Sequence, residues 1–100
     1  MDEKEIRERY RRINHEIDED ERTREDWALF EAEKELCDMG DFKDLGDDEI
    51  VMTRGGLFVT KAEYIEKSKQ NILRIMDRLG IQISFEHFCE IIRETNNLIP

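Results

Sequence analysis

Between Val59 and Thr95 the apolar residues fall into two helix-length stripes, separated by stop and start signals. Thr60 with Glu63 spells a capping box, and Val59 and Tyr64 stand where a hydrophobic staple closes over it. Tyr64, Ile65, Ile72, Ile75, Met76 and Leu79 then recur on one face of a helix. Gly80 occupies the left-handed position that ends such a helix, and Ile81 the place from which a Schellman motif folds back on Met76. Ser84 starts a second helix, with Glu86 in its first turn and Ile83 and Phe88 as another staple. Its stripe is Phe85, Phe88, Cys89, Ile91 and Ile92, and it fades at Asn96 and Asn97. A link this short predicts two helices lying against each other, a helical hairpin over residues 61–96 that forms the core.

Upstream the pattern thins. Residues 1–22 read as a charged helix whose apolar residues, Ile6, Tyr10, Ile13 and Ile17, are spaced as a narrow seam. The acid-before-base pairs Glu3–Arg7, Glu5–Arg9 and Glu8–Arg12 add about 0.2–0.5 kcal/mol of helix support each, too little to dock the helix. The seam fits either the chain's own core or a second copy, so a homodimer through it stays open. Thr23 with Asp26 resembles a further capping box, starting a helix over 24–39 that carries Trp27, Leu29, Phe30, Ala32, Leu36, Cys37 and Met39. Asp18–Arg22 and Asp20–Arg24 would equally carry one helix across that boundary. Trp27 is expected as a core anchor, with an interface hot spot as the alternative.

Gly40 is expected to end that helix and begin an acidic loop over 40–49, pinned by Phe42 and Leu45. The β-prone runs on either side of Gly55-Gly56 predict a hairpin over residues 50–60. A two-stranded ribbon is marginal alone and needs a helix or another chain to pack on. Leu98–Pro100 is expected as a loose tail. The fold class expected is a single, mainly α domain of three to four helices with one short β-hairpin.

Charge changes this picture more than composition does. With 42% charged and 38% apolar residues, a 100-residue chain builds a thin core and has little room for a buried catalytic cleft. There is no run of about 20 apolar residues to cross a membrane, and no apolar leader at the start, so a cytoplasmic protein is expected. Residues 1–50 carry 20 Asp and Glu against 9 Lys and Arg, a balance of −11, while residues 51–100 carry 6 against 7, a balance of +1. An acidic half joined to a neutral one repels nucleic acid and anionic membrane and attracts basic protein surfaces.

Candidate chemistry is sparse. Cys37 and Cys89 sit among apolar residues on expected helices and read as reduced thiols; without C-x-x-C or a Cys/His cluster, a zinc site is not expected. The loop fails the EF-hand pattern, since counting from Asp41 places Lys43 and Leu45 where carboxylates are needed. His15 reads as a surface residue and His87 as a local packing or capping residue. No Gly-rich phosphate loop occurs, and neither Ser68 nor Ser84 lies in a nucleophile motif. The strand-helix-helix order resembles ribbon-helix-helix DNA-binding proteins, yet Arg54 and Lys61 alone do not make a basic face. No catalytic residue, metal or cofactor is expected.

Glu16 and Glu19, followed by Glu35 and Asp38, have an E-x-x-E…E-x-x-D spacing. It resembles the metal-binding pattern of the all-α nucleoside triphosphate pyrophosphohydrolases related to MazG. That resemblance implies Mg²⁺ held by carboxylates of facing helices, activating water against a triphosphate. It covers those four positions, and departs where Gly40 replaces the apolar helix that follows the second motif in the family.

The function expected is therefore a small acidic protein-binding module that covers a basic surface of a partner, inhibiting it at a nucleic-acid site as immunity-like or antitoxin-like proteins do, phage-encoded ones included. The residues expected to touch the partner are Glu31, Glu35, Asp38, Asp41, Asp44, Asp47, Asp48, Glu49 and Trp27. The alternatives are the Mg²⁺-dependent hydrolase and a self-associating structural component using the seam Ile6, Tyr10, Ile13 and Ile17.

Overall fold

The computed structural model describes residues 1–96. It is mainly α, with four helices and one two-stranded antiparallel hairpin: α1 (Glu3–His15), α2 (Arg24–Asp41), β1 (Ile50–Met52), β2 (Phe58–Thr60), α3 (Lys61–Arg78) and α4 (Phe85–Thr95). The expected tail, Leu98–Pro100, lies outside the described residues. No helix among the described residues is long and apolar enough to cross a membrane.

All four helices feed one core, made by Ile6, Tyr10 and Ile13 of α1, Leu29, Ala32 and Leu36 of α2, Ile72, Ile75 and Met76 of α3, and Phe88, Ile91 and Ile92 of α4. The pairing differs from a simple helical hairpin: α3 packs most closely on α2, and α4 on α1. The turn between α3 and α4 explains this. Gly80, at φ +66°, closes a Schellman motif with bonds from the Ile81 N–H to the Met76 carbonyl (2.9 Å) and from the Gly80 N–H to that of Asp77 (3.2 Å). The chain then buries Ile81 and runs on to the Ser84 cap, which moves α4 away from α3 and towards α1.

The seam residues Ile6, Tyr10 and Ile13 are occupied by the chain's own helices, which removes them as a seam for a second copy. Ile17 falls outside α1, half-buried, because the helix ends at His15 and not near residue 22. The chain turns there, passes a short 3₁₀ turn at Glu19–Glu21, and enters α2 through a complete capping box of Thr23 and Asp26. Asp26 is fully buried, and it does more than cap. Its carboxylate accepts from the Thr23 N–H (3.0 Å) and from the guanidinium groups of Arg9 (3.3 Å) and Arg12 (3.0 Å) of α1. This explains why Glu8 bonds Arg11 and leaves Arg12 free for α2. The Tyr10 hydroxyl adds a buried bond to the Leu29 carbonyl at 2.6 Å.

Gly40 does not end α2, which runs one residue further to Asp41. The extra length brings Phe42 edge-on to Tyr64 of α3, with ring centroids 5.0 Å apart. The hairpin pairs Ile50 with Thr60, Val51 with Val59 and Met52 with Phe58. Its connection is Arg54-Gly55-Gly56, a residue longer than a two-glycine turn: the Thr53 carbonyl accepts from the Gly56 N–H, and Gly56 takes φ +85°. The ribbon rests on α3 through Val51, which is buried.

Candidate functional site

The acidic loop is held as a unit against the start of α3. That helix has N–H groups without intrahelical partners, and the loop supplies acceptors: the Glu49 carbonyl for Lys61 N–H (2.8 Å) and the Asp47 carbonyl for Ala62 N–H (3.1 Å). The mostly buried Lys61 side chain passes beneath the loop, its ammonium donating to the Leu45 carbonyl at 2.7 Å. With the backbone tied down, the carboxylates of Asp41, Asp44, Asp47, Asp48 and Glu49 point to solvent. The positive end of α3 offsets part of the repulsion among them. Glu49 also accepts from the Gly46 N–H at 3.0 Å, which tightens the turn.

Directly after this loop comes a surface that the charge pattern does not mark. In β1 the middle residue, Val51, is buried at 6% exposure, while Ile50 and Met52 on the opposite face are 62% and 60% exposed. Phe58, the cross-strand partner of Met52, is 73% exposed, and Leu57 beside it 63%. The signal was present in the sequence. Ile50-Val51-Met52 is apolar without alternation, and a ribbon with a helix on one side can bury only every second residue.

The remaining expected site residues do not join this surface. Asp38 is engaged by the Arg54 guanidinium and, at 3.4 Å, by the Tyr64 hydroxyl. Burial, with the neighbouring Asp38 and Glu35 carboxylates, holds the Tyr64 pKa above its ordinary value. Glu35 is half-buried. Glu31 lies among bases, in a cleft that also holds Arg24, Lys34, Arg54 and Arg78. Trp27 is not the core anchor expected of it. It is 43% exposed, packed edge-on against Phe30 with centroids 5.8 Å apart, and the Arg22 guanidinium lies over both rings. A helix rises 1.5 Å per residue, so Trp27 stands about 21 Å along α2 from Asp41. The expected partner surface therefore splits in two.

The E-x-x-E…E-x-x-D residues are dispersed. Glu16 caps the end of α1 and bonds Arg11, Glu19 lies in the 3₁₀ turn, and Asp38 is taken by Arg54. Among the described residues no three His, Cys, Asp or Glu side chains come together as a metal site would require. Cys37 and Cys89 are free thiols, and burial pushes both away from the reactive thiolate. His87 bonds Glu3 and ties the first turn of α4 to α1. Comparison with protein-family models, with curated proteins and with solved structures finds no match to this chain.

Proposed function

We propose that the protein is a binding module that acts by covering a basic surface of a partner protein, with the outer face of the β-hairpin as anchor and the acidic loop as rim. The observation that carries this is a set of apolar hairpin residues, Ile50, Met52, Leu57 and Phe58, all more than half exposed, on a ribbon whose first strand follows directly in the chain from the exposed acids Asp44, Asp47, Asp48 and Glu49. Ile50, Met52 and Phe58 on one face of the ribbon, with Leu57 flanking them at the turn end, make an apolar patch on the order of a few hundred Å², the scale at which exposed patches mark interaction sites. An apolar centre with a polar, charged rim is also how protein interfaces are built. The rim selects the partner: acids next to an apolar anchor favour bases around an apolar recess. A surface of that kind commonly serves nucleic acid, so covering it would compete with nucleic acid and inhibit. A second copy is a poorer occupant, because each chain carries a net charge of −10.

The test presents three immobilised proteins to an extract of the native source: the parent, an Asp44→Asn/Asp47→Asn/Asp48→Asn variant, and a Met52→Ser/Phe58→Ser variant. All five positions except Met52 and Phe58 are charged, and all are exposed, so the fold should persist in each. The expected result is one nucleic-acid-binding protein retained by the parent and lost from both variants. Its association with the parent should slow steeply as salt rises, since exposed charge is screened within about 10 Å at 0.1 M. Equal retention by all three proteins would refute the reading, as would salt-independent association.

A further inference from the structure

The cleft that Glu31 shares with its neighbours is unlike the rest of this acidic protein. It lies along the outer side of α2 and reaches the last turn of α3 and the hairpin turn, with a volume of about 800 Å³. Its charged lining consists of four bases, Arg24, Lys34, Arg54 and Arg78, against two acids, Glu25 and Glu31. Arg54 is paired with Asp38, but Arg24, Lys34 and Arg78 form no ion pair with any described residue. Three uncommitted cations around one recess are unexpected in a chain of net charge −10. They repel one another, and Glu25, Glu31, the Phe30 ring under Lys34 and the α3 C-terminus beside Arg78 offset only part of it.

The same recess holds the aromatic pair of exposed Trp27 and half-buried Phe30, over whose rings the Arg22 guanidinium lies. Trp27 keeps 43% of its surface open, and Phe30 lies beside it with the Lys34 ammonium 5.6 Å from its ring centre. Arg24, Trp27, Glu31 and Lys34 follow the three- and four-residue spacing of one helix face, which places the Arg24 and Lys34 backbones about 4.5 and 10.5 Å from Trp27 along the axis, on opposite sides. The part of the indole that Arg22 leaves open, between separated cations, matches a ligand with a planar ring and several negative charges: the ring stacks and the charges meet the bases. The volume falls within the usual range of small-molecule sites. The surrounding charge sets an upper limit on ligand length, because a long polyanion would run out of the basic recess onto acidic surface.

We infer that this cleft binds a small, phosphorylated aromatic molecule of the nucleotide class, with Trp27 as stacking platform and Arg24, Lys34 and Arg78 as phosphate contacts. The assignment is independent of the protein-docking reading, since none of the outward-facing hairpin residues lines the cleft. It is equally separate from the four carboxylates of the E-x-x-E…E-x-x-D spacing, none of which lines it.

Trp27 is the chain's one tryptophan, so its fluorescence reports on this site alone. The full-length protein is titrated with adenosine triphosphate, adenosine, inorganic tripolyphosphate and a short deoxyadenosine oligonucleotide, with correction for ligand absorbance and calorimetry in parallel. The expected result is a saturable change with adenosine triphosphate at concentrations where adenosine and tripolyphosphate each give little. An Arg24→Gln/Arg78→Gln variant, altered at two exposed positions, should raise the half-saturation concentration about tenfold or more while its circular dichroism and melting stay those of the parent. Absence of saturation by both methods at low-millimolar adenosine triphosphate would overturn the inference. Tripolyphosphate binding as well as the nucleotide would remove the ring from the recognition, and an unaffected charge variant would remove the cleft. An oligonucleotide saturating far below the nucleotide would show that the occupant is a strand, and would overturn the assignment to a small molecule.

Discussion

Asp26 offers the sharpest test of how the helices are held together. Its carboxylate is fully buried and has acceptor duties on two helices: the Thr23 N–H at the start of α2, and the guanidinium groups of Arg9 and Arg12 on α1. Asp26→Asn keeps an oxygen for the cap and removes the charge. A hydrogen bond to a charged group contributes about 1.5–3 kcal/mol. Arg9 and Arg12 keep 25% and 43% of their side-chain surface open, so water recovers part of what they lose. The expected cost of Asp26→Asn is about 2 kcal/mol, and of Asp26→Ala, which also loses the cap, about 3 kcal/mol. For a domain of this size 2 kcal/mol lowers Tm by roughly 8–16 °C. Urea unfolding followed by circular dichroism measures it. The same residue has a pH signature. Burial raises its pKa, but the Thr23 bonds and the Arg12 and Arg9 guanidiniums outweigh that, and the net direction is downward. A carboxylate whose folded pKa lies below its unfolded value of about 3.9 contributes fully above about pH 4 and loses that contribution as pH falls through the folded value. The stability gap between parent and Asp26→Asn should therefore be constant near neutrality and close in acid. An unchanged urea midpoint at pH 7, or a gap that persists at the lowest pH where both proteins fold, would refute this account of Asp26.

Ile72 and Phe88 are fully buried, so Ile72→Ala should cost about 2–5 kcal/mol and Phe88→Ala about 3–5 kcal/mol, read from the same urea midpoints. The two glycines near helix ends should respond in opposite senses. Gly80→Ala forces a side chain to φ +66° and should destabilise by about 1–2 kcal/mol, while Gly40→Ala adds a methyl to open helix surface and should stabilise by about 0.5–1 kcal/mol in thermal melting. Lys61→Met removes the ammonium under the acidic loop, and amide exchange of residues 44–49 should accelerate with little change in the exchange of α1 and α4.

How far the sequence could be read depended on whether a signal was local. The caps at Thr23, Thr60 and Ser84 and the Gly80 turn depend on neighbours within a few residues, and each stands where its spacing placed it. The mainly α fold with one hairpin follows from them. Helix partners were not legible, because the route from Gly80 through buried Ile81 decides where α4 goes, and no periodicity encodes that route. Trp27 was misplaced by a size argument: the core filled with Tyr10, Leu29, Ile72 and Phe88, and the indole was left on the outer side with Arg22 over it. Counting acids along the chain joined Glu31, Asp38 and the loop into one surface. In three dimensions Arg54, Lys34 and Arg78 come between them, and two of those three bases arrive from other elements.

The buried cluster that unites the four helices contains no residue of the hairpin or of the acidic loop. The division has an evolutionary consequence. The exposed positions of residues 44–58, which leave out buried Val51 and left-handed Gly56, can mutate with little penalty to folding, so under the proposed docking role they are free to change while the scaffold beneath them stays fixed. In a library of all single substitutions, selection for soluble expression should tolerate nearly any residue at 50, 52, 57 and 58 and reject most at 6, 10, 26, 72 and 88. Selection for binding should invert the ranking at the first group alone. If the hairpin docks a partner as proposed, a protein arranged in this way can exchange one target for another in a few mutational steps without passing through an unfolded intermediate sequence.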